Sequence, residues 1–230
     1  MKQILTLGLA LMLAFAASAQ KDVTKFLGIP VDGSKSAMIQ KLKAKGFTYN
    51  AKDDFLEGEF NGRFSHIYVV TNNNKVYRIM VTDARGVGEG EIKIRFNTLC
   101  RQFKKNDKYM PADYIGEFEI GEEDDISYEM AAHNKRYQAA YYQVNKSDVE
   151  DTAALFEYLL NKIAEEYPDG EFDKLGDEEK RMFAITNSIE CLTEKVSDRS
   201  VWFMISEIYG EYSITMFYDN RKNQANGEDL

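Results

Sequence analysis

Histidine and cysteine are scarce in this chain, with two of each in 230 residues. His66 and His133 cannot supply a paired-histidine metalloprotease helix or a histidine-rich zinc site, and Cys100 and Cys191 are too few for a thiolate one. No G-x-S-x-G elbow presents a nucleophilic serine. Gly86-Val-Gly-Glu-Gly90 precedes a helix, but it lacks both the Walker lysine and the third fingerprint glycine. Glu89 and Glu91 stand where an anion would sit, so the stretch reads as a helix entry. Asp169, Glu171 and Asp173 alternate like the first ligands of an EF-hand. Lys174, however, takes the glycine position and Lys180 that of the bidentate glutamate, which leaves a solvated acidic turn. No catalytic residue, metal ligand or cofactor is therefore expected.

Positive charge is also in short supply: 29 Lys and Arg stand against 38 Asp and Glu, for a net charge of −9. Phosphate binding needs a basic face, so nucleic acid is not an expected partner. Long apolar runs are missing after the first residues. Lys2, an apolar run from Ile4 to Ala17 broken only by Thr6, and Ala17-Ser18-Ala19 form the three parts of a secretory signal peptide. The run is shorter than the roughly 20 residues of a spanning helix. Cleavage after Ala19 is expected, giving an exported product, periplasmic or extracellular, with no transmembrane segment. The 29 basic residues fall to 28 with Lys2 and the 38 acids stay, so the mature charge is −10. A mature chain this long buries about 70% of its unfolded surface and needs no disulfide. Cys100 and Cys191 form either one bridge after export or two buried thiols, and the second reading is preferred because nothing demands a staple.

What the chain has in abundance is strand signal. Val201 to Tyr218 is two runs of β-branched and aromatic residues joined at Gly210-Glu211, which reads as a type II′ hairpin. That register pairs Tyr209 with Tyr212, Glu207 with Ile214, Ile205 with Met216 and Phe203 with Tyr218. Upstream, Ser34 caps a helix carrying Met38 and Leu42 and stopping at Gly46. Phe55–Phe60 and 63–71 form a hairpin around Asn61-Gly62, with Leu56 facing Ile67, Glu57 facing His66 and Phe60 facing Arg63. A turn at 72–74 leads to a third strand, 76–82. From Glu89 to Lys105 the period becomes helical, with Ile92, Phe96, Leu99 and Phe103 on one side. Tyr114–Ile120 reads as a short strand, and Ile126–Ala132 with Arg136–Val144 as a hairpin turning at Asn134-Lys135, where His133 sits.

Residues 147–197 read as an inserted helical hairpin. A capping box at Ser147 to Glu150 opens it, a first stripe follows (Phe156, Leu159, Leu160, Ile163, Tyr167), and then a second capped by Asp177 (Met182, Ile185, Ile189, Leu192, Val196). Residues 219–230 read as a loosely ordered polar tail, in which Asp219, Glu228 and Asp229 gather a cation only if it folds back. The expected fold is α+β, one domain over 20–230: an antiparallel β-sheet meander with helices packed on one face, plus the inserted hairpin. Asp53-Asp54, strand, Asn61-Gly62, strand is echoed by Asp124-Asp125, strand, Asn134-Lys135, strand, which outlines a duplicated unit.

The run Phe26-Leu-Gly-Ile-Pro-Val-Asp-Gly, the ribbon from Ser200 and the ending Tyr218-Asp-Asn with Asn223 to Leu230 resemble a group of uncharacterised exported proteins common in Bacteroidetes. The resemblance implies bacterial export and no site. Helices on an antiparallel meander also look like the β-lactamase-inhibitor-protein fold, an analogy of architecture that carries no function.

Aromatic residues supply the candidate surface. Fourteen Tyr and fourteen Phe are present. Tyr137, Tyr141 and Tyr142 in one strand, with Trp202 and Phe217, outline a face that could bind an envelope protein, a peptide or a glycan. The expected function is a non-enzymatic binding or interaction module of the bacterial envelope. An enzyme of unrecognised type and a cation-dependent structural module are the alternatives.

Overall fold

The computed structural model describes residues 22–113 and 117–225. Two short strands, β1 (Lys25–Phe26) and β2 (Ile29–Pro30), precede helix α1 (Lys35–Lys43), whose Ser34 cap accepts from Ala37 N–H. Strands β3 (Thr48–Asn50), β4 (Phe55–Phe60), β5 (Arg63–Asn72) and β6 (Lys75–Asp83) follow as a meander, then helix α2 (Glu89–Lys104) and strand β7 (Tyr109–Pro111). Helix α3 (Ile126–His133) leads to β8 (Gln138–Gln143). Helices α4 (Lys146–Glu150), α5 (Thr152–Glu166) and α6 (Asp177–Val196) come before the long strands β9 (Arg199–Ile208) and β10 (Glu211–Asn220).

Eight strands make one antiparallel sheet in the order β3-β4-β5-β6-β10-β9-β8-β7. Each half is a helix followed by four strands, and the last strands of the halves meet at the centre, where Met216 pairs with Val81 and Phe217 with Met80. Helix α1 packs on β5 and β6, and α2 on β7, β9 and β10, from the same side. Burial therefore alternates: Ser65, Ile67 and Val69 are buried in β5, whereas His66, Tyr68 and Val70 are only half-buried. Each apolar side chain fully enclosed on the helix side contributes about 1.5–3 kcal/mol. The first hairpin has the expected register, Leu56 to Ile67, Glu57 to His66 and Phe60 to Arg63, with Asn61 and Gly62 both at positive φ.

The ribbon departs from expectation by one residue at its turn. Its two central residues are Tyr209 (φ 55°) and Gly210 (φ 80°), a type I′ pattern, so Tyr212 pairs with Glu207 and Met216 with Phe203. Moving a turn by one residue slides the pairing by two, and a shift of two keeps every side chain on its expected face.

Larger corrections concern the second half. Residues 126–132 are helical: Asp125 caps Tyr128 N–H, and Asn134 ends α3 in the left-handed conformation. No hairpin turns there, and His133 is the last helical residue. Residues 117–120 are not strand, and 114–116 lie outside the described residues. The echo read between the two hairpins thus fails at its second copy, because topology matches β4 and β5 with β8 and β9 instead.

The helical insertion is present, opened by Asn145 and Asp148 rather than by Ser147 and Glu150, and α6 starts after Gly176 with Asp177 as its first residue. Asp219 and Asn220 are buried strand residues rather than tail, and Asn223 Nδ2 donates to Asp32 and to the Val76 carbonyl. Residues 226–230 and the expected leader, 1–19, lie outside the described residues. Among those described, no helix is long and apolar enough to cross a membrane.

Candidate functional site

The side of the sheet away from α1 and α2 is organised as cross-strand rows. Tyr68, Met80, Phe217, Trp202 and Ala140 succeed one another on β5, β6, β10, β9 and β8, each directly opposite the next. Beside this apolar row runs a mixed one, Thr82, Thr215 and Met204, whose Thr215 Oγ1 lies 3.1 Å from Ser206 Oγ of β9. On the other flank Arg78, Asp219, Ser200 and Tyr142 pair in sequence. Trp202, Met204, Met80 and Tyr142 are half-buried, the exposure of a sheet face without a covering layer.

Trp202 is the only tryptophan of the chain and is held on two sides. Its ring stacks on Phe217 at 4.0 Å with an 18° tilt, and its Nε1 donates to Asp219 Oδ2 at 3.0 Å. Asp219 also accepts two bonds from Arg78, at 2.6 and 2.8 Å, while that guanidinium lies 4.8 Å from the Phe217 ring centroid. The carboxylate bond raises the Arg78 pKa further, so the cation is permanent. The indole is therefore fixed before anything binds, which lowers the entropy cost of using it as a contact. Asp219 is thus engaged with Arg78 and Trp202, while Glu228 and Asp229, read with it as a cation group, lie outside the described residues.

Of the five expected surface residues, Tyr142, Trp202 and Phe217 share this open face, although Phe217 is 9% exposed between its neighbours. Tyr137 and Tyr141 do not. They are 7% and 2% exposed on the helix side, where Tyr141 stacks on Phe103 at 4.5 Å. Adjacent strand residues point to opposite faces, so Tyr141 and Tyr142 never could share one. Alternation along β9 places Met204 beside Trp202, as the sequence implies, whereas Arg78, Met80 and Ala140 join the face only through the pairing of β6 and β8 with the ribbon, which the sequence does not state.

Neither histidine joins a constellation. His66 sits opposite Glu57 as expected and against Phe55, with ring centroids 4.4 Å apart, while His133 lies 3.2 Å from Glu129. Among the described residues, no three His, Cys, Asp or Glu side chains gather as metal ligands. Both cysteines are free thiols, and burial pushes the Cys100 pKa up to about 12.

A larger hollow, about 950 Å³, lies between β1, the start of β7 and α4, beside a recess of about 530 Å³ near the end of α2. Tyr218 and Tyr109 form its floor, bonded to each other, and Gln143 donates to Tyr109 at 3.3 Å. Of its three lysines, Lys146 pairs with Glu150 at 3.3 Å. The two floor hydroxyls are thus engaged within the fold. The open sheet face, with its fixed indole, is the better candidate. No protein-family model matches the sequence, and no significant match is found among curated proteins or solved structures.

Proposed function

We propose that this chain is an exported binding module of the bacterial envelope whose contact surface is the open face of its eight-stranded sheet. The observation that carries the reading is the apolar row from Tyr68 to Ala140 across five strands, centred on an indole locked by Phe217, Asp219 and Arg78. Clustered, rigid aromatic and arginine side chains on an otherwise uncovered surface are what binding hot spots are made of. The leader-like N-terminus and the acidic, soluble composition support export. Peptides, glycans and envelope proteins are the ligand classes that fit.

Trp202 makes the proposal directly testable. Its emission, selectively excited in the only tryptophan, is followed while peptides and oligosaccharides are titrated. A saturable spectral shift that disappears in Met80→Lys and Met204→Lys, which place charges on the open face without touching the core, supports the reading. Ligands that bind by calorimetry with equal affinity to both variants and leave Trp202 unchanged would refute it.

A further inference from the structure

On the β8 side of the indole the open face is not flat. A depression of about 260 Å³ is lined by Gln138, Ala140, Tyr142, Ser200, Trp202 and Arg221 among others. Its origin is a size mismatch along the row: Trp202 faces the large Phe217 ring on β10 but only a methyl group, Ala140, on β8. The indole is thus covered by its stacking partner on one side and borders empty space on the other.

Two polar side chains of this depression have no side-chain partner among the described residues. Ser200 is 6% exposed and its hydroxyl makes no hydrogen bond. A buried hydroxyl left without a partner carries an uncompensated desolvation cost, so one that persists at the base of a hollow calls for an acceptor from outside. Arg221, in the 3-10 turn after β10, is exposed and forms no ion pair with an acid among the described residues. It is the only charged residue of the lining, in a chain of net charge −9. The other ionic groups nearby are spoken for: Asp219 by Arg78 and Trp202, and Asp198 by Lys222 at 3.7 Å. A guanidinium left unpaired by the described acids selects for an anion and, by its planar fork, for a carboxylate.

We propose that the depression takes a six-membered sugar ring bearing a carboxylate, a uronic acid unit of an acidic glycan. The proposal rests on the open-face reading and narrows its ligand class. The sugar's apolar face lies against the indole over the Ala140 methyl, its carboxylate meets Arg221, and a ring or hydroxyl oxygen accepts from Ser200. A glutamate or aspartate side chain satisfies the arginine but leaves the indole border empty. A neutral sugar does the reverse, so only a ring and an acid together use the whole site.

The test is a Trp202 titration of the residue 20–230 chain with oligogalacturonate, a neutral oligosaccharide of equal length and a glutamate-rich peptide. The expected result is saturable binding of the uronate alone. Arg221→Ala should weaken it about tenfold or more, as loss of a charge-assisted pair requires. Ala140→Leu, which fills the hollow from the solvent side, should abolish it while thermal unfolding stays cooperative. Uronate and neutral sugar binding equally would overturn the role of Arg221 and with it the proposal. A peptide that perturbs Trp202 and is blocked by Ala140→Leu, with the uronate silent, overturns the sugar and leaves the open-face reading standing. No response of Trp202 to any of the three, with all three silent in calorimetry, overturns the uronate proposal while the wider panel still decides the open face.

Discussion

Several tyrosines and one cysteine of this protein are protonated by their surroundings. Burial pushes Cys100 up to about 12, and it also raises Tyr109, Tyr141 and Tyr218, all gathered around Phe103 and β7. Such groups hold their protons longer folded than unfolded. Their contribution is complete below the unfolded values, near 9.0 for the thiol and 10.0 for the phenols. It is lost as pH rises toward the folded ones. Stability is therefore expected to fall steeply above about pH 9, visible as a dropping urea midpoint. A flat midpoint to pH 11 would contradict this burial. Cys100 should resist alkylation until the chain unfolds.

Arg199 is the second residue with a large predicted effect. It is 1% exposed and bridges Asp148 at 2.6 Å and Asp22 at 2.5 Å, tying the segment before β1 to the base of the helical insertion. Arg199→Ala leaves the buried Asp148 carboxylate without its counter-ion, at a cost of about 3–5 kcal/mol in chemical denaturation. Adding Asp148→Asn should recover part of that loss. Tyr209 is the opposite case, fully exposed and held at φ 55° with nothing packed against it. Tyr209→Asn suits the turn better and should raise stability by about 1 kcal/mol.

At the scale of elements, the β4–β5 hairpin was legible to the register because it is closed by a two-residue turn, whereas β3, three residues long, was too short to show a pattern. Asn61-Gly62 and the alternation around it admit one pairing. The second half was not, for two physical reasons. Ile126, Tyr128 and Met130 alternate as a strand would, but only Ile126 is buried, so the alternation had little weight. Local bonds decided instead: the Asp125 cap, and the Glu89 carboxylate accepting from Ile126 N–H and Ser127. The insertion was visible by its capping and stripes, but their exposure was not. Phe156 is 65% exposed, and Met182 52%, so the hairpin packs chiefly on itself. Because Tyr142 pairs with Ser200, a short turn can join Gln143 to Arg199 in place of 144–198. With Arg199 replaced by Thr as well, that shortened protein should still unfold cooperatively with unchanged Trp202 emission. A molten core would show that the insertion is part of the fold's support.

For the molecule as a whole, two helix-plus-four-strand halves meet at β6 and β10, bury one sheet face under α1 and α2 and leave the other open. Sequence supplied three residues of the candidate site, Tyr142 from aromatic content and Trp202 and Phe217 from the alternation of the ribbon. It gave no sign of Ser200 and Arg221, since a hydroxyl or a guanidinium left without a partner among the described residues is so only relative to neighbours brought from other strands. It also misplaced Tyr137 and Tyr141 by treating tyrosines of one strand as one surface.

The open face has a convenient pair of reporters in Met80 and Met204, set against Met38 and Met216 in the core, 1% and 4% exposed. The most direct measurement is a methyl spectrum of methionine-labelled protein during titration with the ligands that Trp202 detects. Binding on the open face predicts that the Met80 and Met204 methyl signals move together while those of Met38 and Met216 stay. Shifts centred on Met182 of the insertion, with Met80 and Met204 unmoved, would contradict it.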